Sequence, residues 1–301
     1  MSPLGDIAGA ERSAVDAGTC TLSVQQMGPP DGEPVILWHG FPEIGYSWRH
    51  QAPALAEAGY RVIIPDLRGY GESDAPEGAA NYAFPLLVGD VLGLMKGLGL
   101  ESAHLAGHDW GGSLCWATAA LQPAAVRSLF ILNSPHPVAS AECRQVPEQQ
   151  QKSWYMLLFQ FAPVAEEWLL NDDAANLERF VFDTAAPGTF PPEERRVFKD
   201  ALMRPGRMTA ALEYYRANIP PENWLKPPPE LPPITVPTTI AWADADAYMS
   251  DLLLERSITK VQGPLQVVPL HGVSHWAQQE APEAVTKSMS EHLSRVLSPS
   301  S

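Results

Sequence analysis

Short apolar runs recur along the chain at 35–38, 62–64, 104–106, 129–132, 238–242 and 266–269, and helical spacing of apolar residues fills the stretches between the first four. Runs this brief, with no regular polar alternation, predict strands buried on both faces. Strands that alternate with helices predict an α/β architecture, a mostly parallel central sheet flanked by helices. After Asn133-Ser134-Pro135 the pattern changes, and 144–224 keeps helical periodicity without a buried strand. An inserted helical cap is expected there. The proline-rich 227–233 can sustain neither helix nor ladder and returns the chain to its sheet, which residues 283–296 close as an amphipathic helix. The expected division is a first core part over 1–135, a cap over 136–228 and a second core part over 229–301.

At the end of the third run stands Gly107-His108-Asp109-Trp110-Gly111. Glycines two positions either side of a central residue allow a tight strand-to-helix turn, which holds a nucleophile exposed and strained. The small residues of 112–120 suit a helix packed close to the sheet. Here the central side chain is a carboxylate. A hydroxyl would take an acyl group from a carbonyl substrate, whereas a carboxylate displaces a leaving group from saturated carbon and becomes an alkyl ester. The competing reading makes Asp109 only the N-cap of the following helix, a position that favours Asp.

An alkyl-Asp ester turns over only if a base activates water and an acid orients that base. Chains with such an elbow present these groups in the order nucleophile, acid, histidine. His275 follows the last run, in Gly272-Val273-Ser274-His275-Trp276, and His271 competes with it. Asp246 and its competitor Asp244 follow the run before, in Trp242-Ala243-Asp244-Ala245-Asp246. His108 sits inside the elbow, where its side chain is expected to point away from Asp109. Asn133, at the end of the fourth run, cannot serve as an anionic partner. His39-Gly40-Phe41-Pro42 follows the first run and brings backbone N–H groups toward the elbow. The amides of Phe41 and Trp110 then make an oxyanion hole for the attack of water on the ester, at roughly 3 kcal/mol per donor. The Phe41-Pro42 bond is a candidate for the cis form.

Charge narrows the partners. A formal net charge of −15 over 301 residues argues against nucleic acid and against an anionic membrane surface, since both would be repelled. A small, neutral or weakly polar molecule is the expected partner, and the oligomeric state, monomer or homodimer, stays open. Three cysteines, Cys20, Cys115 and Cys143, are too few and too scattered for a disulfide framework or a zinc site. No nucleotide-binding glycine fingerprint appears, so neither cofactor nor metal is expected. The first residues lack a basic stretch followed by an apolar core, and no run approaches membrane-spanning length, which makes a cytoplasmic location the expectation.

With these residues placed, the chain resembles the α/β-hydrolase-fold epoxide hydrolases of the soluble and microbial type, from about residue 24 to residue 296. The resemblance rests on His39-Gly40-Phe41-Pro42-Glu43, Tyr46-Ser47-Trp48-Arg49, Asp66-Leu67-Arg68-Gly69-Tyr70-Gly71-Glu72-Ser73, the elbow with Gly112, and His275-Trp276 followed by Gln278, Gln279, Glu280 and Pro282. It implies that Asp109 is the nucleophile, His275 the base and Asp246 the orienting acid, the last of a Trp-Gly-x-x-Asp pattern in which this chain has Ala243 for the glycine. It also implies two cap tyrosines that hold the epoxide oxygen. Tyr155, in 153–160, and Tyr215, directly before Arg216, match them, while Tyr214 is expected to be packing. Opening an epoxide creates an alkoxide, a poor leaving group that two phenols would stabilise and protonate. Phe41, Trp110, Trp154, Phe159 and Trp276 are the expected walls of an apolar pocket, although part of the aromatic stripe around Tyr155 must be core.

The implied activity is hydrolysis of an apolar epoxide to a diol, with detoxification as the implied role. Its nearest rival, a haloalkane dehalogenase, shares the nucleophile, the base and a Trp at position 110 but uses halide donors in place of phenols. Phe41 offers no side-chain donor of that kind. A haloacid dehalogenase would want arginines just after the nucleophile, where Trp110 and Ser113 stand. The non-enzymatic alternative is a catalytically idle relative acting as a ligand receptor, because fold alone does not fix function.

Overall fold

The computed structural model describes residues 5–297. Eight strands form one sheet: β1 (Glu11–Asp16), β2 (Thr21–Met27), β3 (Glu33–Trp38), β4 (Tyr60–Pro65), β5 (Ala103–His108), β6 (Val126–Leu132), β7 (Thr238–Ala243) and β8 (Leu265–Leu270). Their spatial order is β1-β2-β4-β3-β5-β6-β7-β8, antiparallel at β1–β2 and β2–β4 and parallel throughout the rest. This is the α/β-hydrolase fold, with helices on both faces.

The six apolar runs are the strands β3 to β8, and their two-residue alternation feeds two cores. Ile36 and Trp38 face one side with Leu105 and Ile131, while Val35 and Leu37 face the other with Ala106 and Phe130. The helix Pro282–Leu297 covers that second face through Val285, Met289 and Leu293, spaced by one helical turn. No apolar run announces β1, because an antiparallel edge strand needs no fully buried sequence: of its residues only Val15 is buried.

Register decides where chemistry can occur. Trp38 pairs with Gly107, His108 with Leu132, Leu132 with Ala241 and Ala243 with Leu270. The carboxyl ends of five parallel strands therefore open on one edge, where a reversal of connection direction leaves a crevice. Between β6 and β7 the chain leaves the sheet for a run of helices that includes Pro137–Cys143, Pro147–Lys152, Trp154–Leu158, Val164–Val181, Pro192–Met203 and Arg207–Asn218. The long helix Val164–Val181 is broken where Asp172, Asp173 and Ala174 take left-handed φ. Arg216 ties this insertion together through Glu166 and Glu213, and Arg49 joins Glu194 to the sheet domain. Among the described residues no helix is long and apolar enough to cross a membrane.

Candidate active site

β5 ends at His108, still extended, and the helix Asp109–Leu121 begins on the next residue. Asp109 has φ 50°, a left-handed backbone that costs a non-glycine residue on the order of 1–3 kcal/mol. Close packing holds it there. A Cβ on Gly111 would lie 2.4 Å from the carbonyl oxygens of Trp38 and His39, and one on Gly40 would lie 2.3 Å from the Asp109 Cβ. His108, not Asp109, occupies the N-cap position. The Asp109 carboxylate instead accepts the Phe41 amide on Oδ1 at 2.9 Å, and its backbone carbonyl accepts the Ser134 hydroxyl at 2.7 Å. The Phe41-Pro42 bond is cis.

His275 reaches this carboxylate from the loop after β8, its Nε2 lying 3.8 Å from Asp109 Oδ2. Its Nδ1 lies 2.6 Å from Asp246 Oδ2. Asp246 also accepts Asn133 Nδ2 at 2.9 Å and the amides of Tyr248 and Met249 at 2.7 and 3.0 Å. Burial works against charge on this carboxyl, yet the neighbouring His275 and these donors hold it below its ordinary value. The converse holds for His275. Burial disfavours its cation, but Asp246 first and then Asp109 and Glu43 raise it above the ordinary histidine value.

The competitors lie elsewhere. Asp244 and His271 pair with each other at 2.8 Å on the exposed surface, and Asp244 takes the Gly272 amide as well. His108 turns away from Asp109, as expected. Its Nε2 contacts the His275 carbonyl at 2.9 Å, and its Nδ1 lies 3.1 Å from Gln278 Nε2 and 3.3 Å from Glu43. Gln278 and Gln279 each donate to the buried Glu43 carboxylate at 2.7 Å, so these motif residues form a floor beneath the histidine.

Above Asp109 stand Tyr155 and Tyr215, both buried, with ring centroids 6.0 Å apart and edge to face. Burial chiefly, with the Asp109 charge contributing to both, pushes their phenols well above the ordinary tyrosine value. Tyr214 points elsewhere: its hydroxyl donates to the Arg68 carbonyl at 2.7 Å, and its ring packs on Tyr70 and Tyr82. A cavity of about 730 Å³ opens onto Asp109, Tyr155 and Tyr215, with Trp110 and Trp154 on its wall. Three of the expected wall residues are not there. Phe159 is fully buried behind the tyrosines, its centroid 5.3 Å from Tyr155 and 5.0 Å from Tyr215. Trp276 is buried beside His275 with its Nε1 donating to Thr184, and the Phe41 ring is packed against Phe159 and Tyr215. These rings prop the site because the helical stripe that carries them faces the core.

Sequence reasoning gave no role to Asn133 beyond excluding it as an acid, yet its amide bridges β7 and Asp246, accepting the Ala243 amide and donating to the Ala243 carbonyl. Nor did it find Gln149 and Lys152. From the helix Pro147–Lys152, Gln149 donates to the Tyr248 carbonyl and accepts the Ser250 amide and hydroxyl, and Lys152 donates to the Asp246 carbonyl. Polar residues on a short helix give no sequence signal of such contacts. No group of side chains suited to hold a metal occurs among the described residues.

Comparisons with known proteins agree with this architecture. Residues 33–282 match a family described as alpha/beta hydrolase fold. An AB hydrolase superfamily protein of Bacillus subtilis is 34% identical over 95% of this chain and 98% of its own length. Epoxide hydrolase A of Mycobacterium tuberculosis is 33% identical over 93% of this chain and 96% of its own. The crystal structure of Bacillus megaterium epoxide hydrolase in complex with an inhibitor superposes with a TM-score of 0.84 at 28% identity, covering 94% of this chain and 100% of that one.

Proposed function

Starting from a chain that belongs to the alpha/beta hydrolase fold family and, within it, resembles the epoxide hydrolases at the level of an enzyme, we propose that it opens an apolar epoxide through an alkyl ester on Asp109 and hydrolyses that ester to a vicinal diol. The observation that carries this reading is the pair of buried phenols of Tyr155 and Tyr215 facing the same cavity as Asp109.

The Phe41 amide binds Oδ1, which leaves Oδ2 to attack an epoxide carbon. The C–O bond that breaks puts its electron pair on the epoxide oxygen, and the phenols, kept protonated by burial, stabilise that oxygen and supply its proton. The product of this step is an ester between Asp109 and the substrate carbon. His275, neutral and oriented by Asp246, then takes a proton from water that attacks the Asp109 carbonyl carbon. The charge that develops on Oδ1 falls to the Phe41 amide and to the proposed partner amide of Trp110. Collapse expels the substrate oxygen, which takes the proton held by His275, and the second proton of the water, freed as Asp109 returns to its carboxylate, restores the phenol as the diol leaves. The aromatic wall suits an apolar substituent on the epoxide.

The test is styrene oxide with diol and halide measured in parallel. The wild type is expected to form the diol and to release no halide from simple haloalkanes. Tyr155→Phe or Tyr215→Phe should slow ester formation about 10- to 100-fold, and the double change should nearly abolish it, since each phenol is a transition-state donor. His275→Gln should accumulate a substrate-sized mass on the peptide carrying Asp109. Halide release that survives the double tyrosine change, with no diol from the wild type, would overturn the reading in favour of dehalogenation.

A further inference from the structure

Three rings pack against the imidazole of His275, the proposed base: His108 with centroids 4.5 Å apart, Trp276 at 4.8 Å and Tyr248 at 5.4 Å. His108 rests on the floor made by Glu43 and Gln278. The other two are held from the cap. Trp276 follows His275 in the chain, and Tyr248 donates its amide to Asp246 at 2.7 Å, so each ring belongs to a residue already joined to one member of the proposed triad.

Both rings end on one cap side chain. The short helical turn Phe182–Thr184 follows the helix Val164–Val181, and the Thr184 hydroxyl donates back to the Val181 carbonyl at 2.7 Å. That bond uses its single proton and leaves its lone pairs to accept. Trp276 Nε1 donates to it at 3.0 Å, and the Tyr248 hydroxyl, which donates to the Phe180 carbonyl, lies 3.3 Å away. Two residues further on, the Ala186 amide donates to Glu280 at 2.9 Å, and the Glu280 carboxylate takes the Ser274 hydroxyl at 2.6 Å and the Ser274 amide at 3.2 Å. The residues on either side of His275 are therefore both fastened to cap residues 184–186. A buried indole needs some acceptor, but that need does not account for both flanks of one histidine meeting one short stretch of the cap.

We propose that Thr184 is a positioning residue for His275, its hydroxyl holding Trp276 and Tyr248 so that the imidazole faces Asp246 and the Asp109 ester at once. The proposal rests on the epoxide-opening reading, which supplies two steps on which Thr184 acts unequally. Ester formation needs the Asp109 carboxylate and the two phenols and makes no use of His275 as a base. Ester hydrolysis does, with Nδ1 held on Asp246 at 2.6 Å and Nε2 left to take the proton of water. A ring displaced by about 1 Å loses on the order of 100-fold in such a step, and a partial loosening loses less.

The experiment separates the two steps. Styrene oxide and enzyme are mixed and quenched at short times, and the mass carried by the Asp109 peptide follows the formation and decay of the ester. Thr184→Val keeps the shape and removes the hydroxyl: ester formation should stay within about twofold of the wild type while ester hydrolysis slows about tenfold, so that ester accumulates. Thr184→Ser, which keeps the hydroxyl, should recover most of that loss. Trp276→Phe keeps a ring and removes its donor, so it should slow the same step. The Thr184→Val, Trp276→Phe double variant should be little slower than either single change, because all three break one contact. If Thr184→Val does not fold, Trp276→Phe carries the comparison. Equal slowing of both steps, slowing of neither, or additive effects overturns the proposal. A readout that needs no turnover is the titration of the His275 ring followed by NMR. Thr184→Val should bring it down toward the ordinary histidine value as the imidazole moves off Asp246, the charge that chiefly raises it ahead of Asp109 and Glu43. An unchanged titration overturns the proposal as well. If the wild type forms neither ester nor diol, the epoxide-opening reading fails, and that titration still decides the role of Thr184.

Discussion

Asp246 accepts four hydrogen bonds, from His275, Asn133 and the amides of Tyr248 and Met249. A carboxylate so satisfied stays ionised and, in the proposed mechanism, supports the imidazolium that forms when His275 takes a proton. The acid limb of turnover is therefore expected above the ordinary histidine value, because His275 must be neutral to act and Asp246 chiefly favours its charged form. Asp246→Asn removes that support: the limb should move to lower pH while the maximal rate falls by about 100-fold or more. Asp244→Asn should do neither. Full pH–rate profiles of the two variants check this, and the reverse outcome transfers the role to Asp244. Spacing could not separate these aspartates, since each is followed by a histidine in the loop after β8. What separates them is where the chain turns after Ala243, which leaves Asp244 on the surface with His271 and sends Asp246 inward. Asn133 was legible only as a non-acid. Its amide serves because an amide can donate to one strand partner and accept from it at the same time as it binds the carboxylate.

At the scale of elements, β3 to β7 and the helical insertion were legible because each is a run or a period long enough to record its own burial; β8 showed the same kind of run, yet as an edge strand it buries only Leu270 and is not covered on both faces as expected. The antiparallel pair β1 and β2 was not legible: β1 is an edge strand with one buried residue, and β2, paired on both sides, fills its buried positions with polar Ser23 and Gln25 beside Leu22 and Val24, so neither carries an apolar run. Equally hidden was the grip of the helix Pro147–Lys152 on the segment that carries Asp246. Gln149 satisfies the Tyr248 carbonyl and the Ser250 amide and hydroxyl, all from a buried position. Gln149→Leu strips these groups of their partner, and each buried orphan costs about 1–3 kcal/mol. Urea denaturation should register a loss of about 2–4 kcal/mol, and kcat should fall with it because the Asp246 loop loses its anchor. A variant as stable and as active as the wild type would show that the contact is incidental.

The whole molecule records its pH dependence in buried histidines that take no part in the proposed chemistry. Burial lowers His104 and His136 to about 4 and His292 to about 3, and a shared Ser128 hydroxyl links His104 and His292 at 2.7 and 2.8 Å. The unfolded chain takes up protons at about 6.5 that the fold refuses, so stability is full above that pH and falls as pH drops from about 6.5 toward 4. His275, raised in the fold, opposes this, but it stands against these three and against His39 and His50, which burial also lowers. His292 alone should account for about 2 kcal/mol of the loss between pH 7 and 5. Urea midpoints at the two pH values are expected to differ less in His292→Gln than in the wild type, whatever the absolute stability of the variant. The clamp on the Asp246 loop reaches further than any single substitution. An insertion that supplies only walls and tyrosines would be an exchangeable part, free to diverge or be replaced as substrates change. Here the insertion also grips Asp246, the acid proposed to orient the base. A foreign cap grafted between β6 and β7 would therefore arrive with a suitable pocket and still disable the enzyme, unless residues 246–250 were transplanted along with it, so the two stretches form one heritable unit split across the chain.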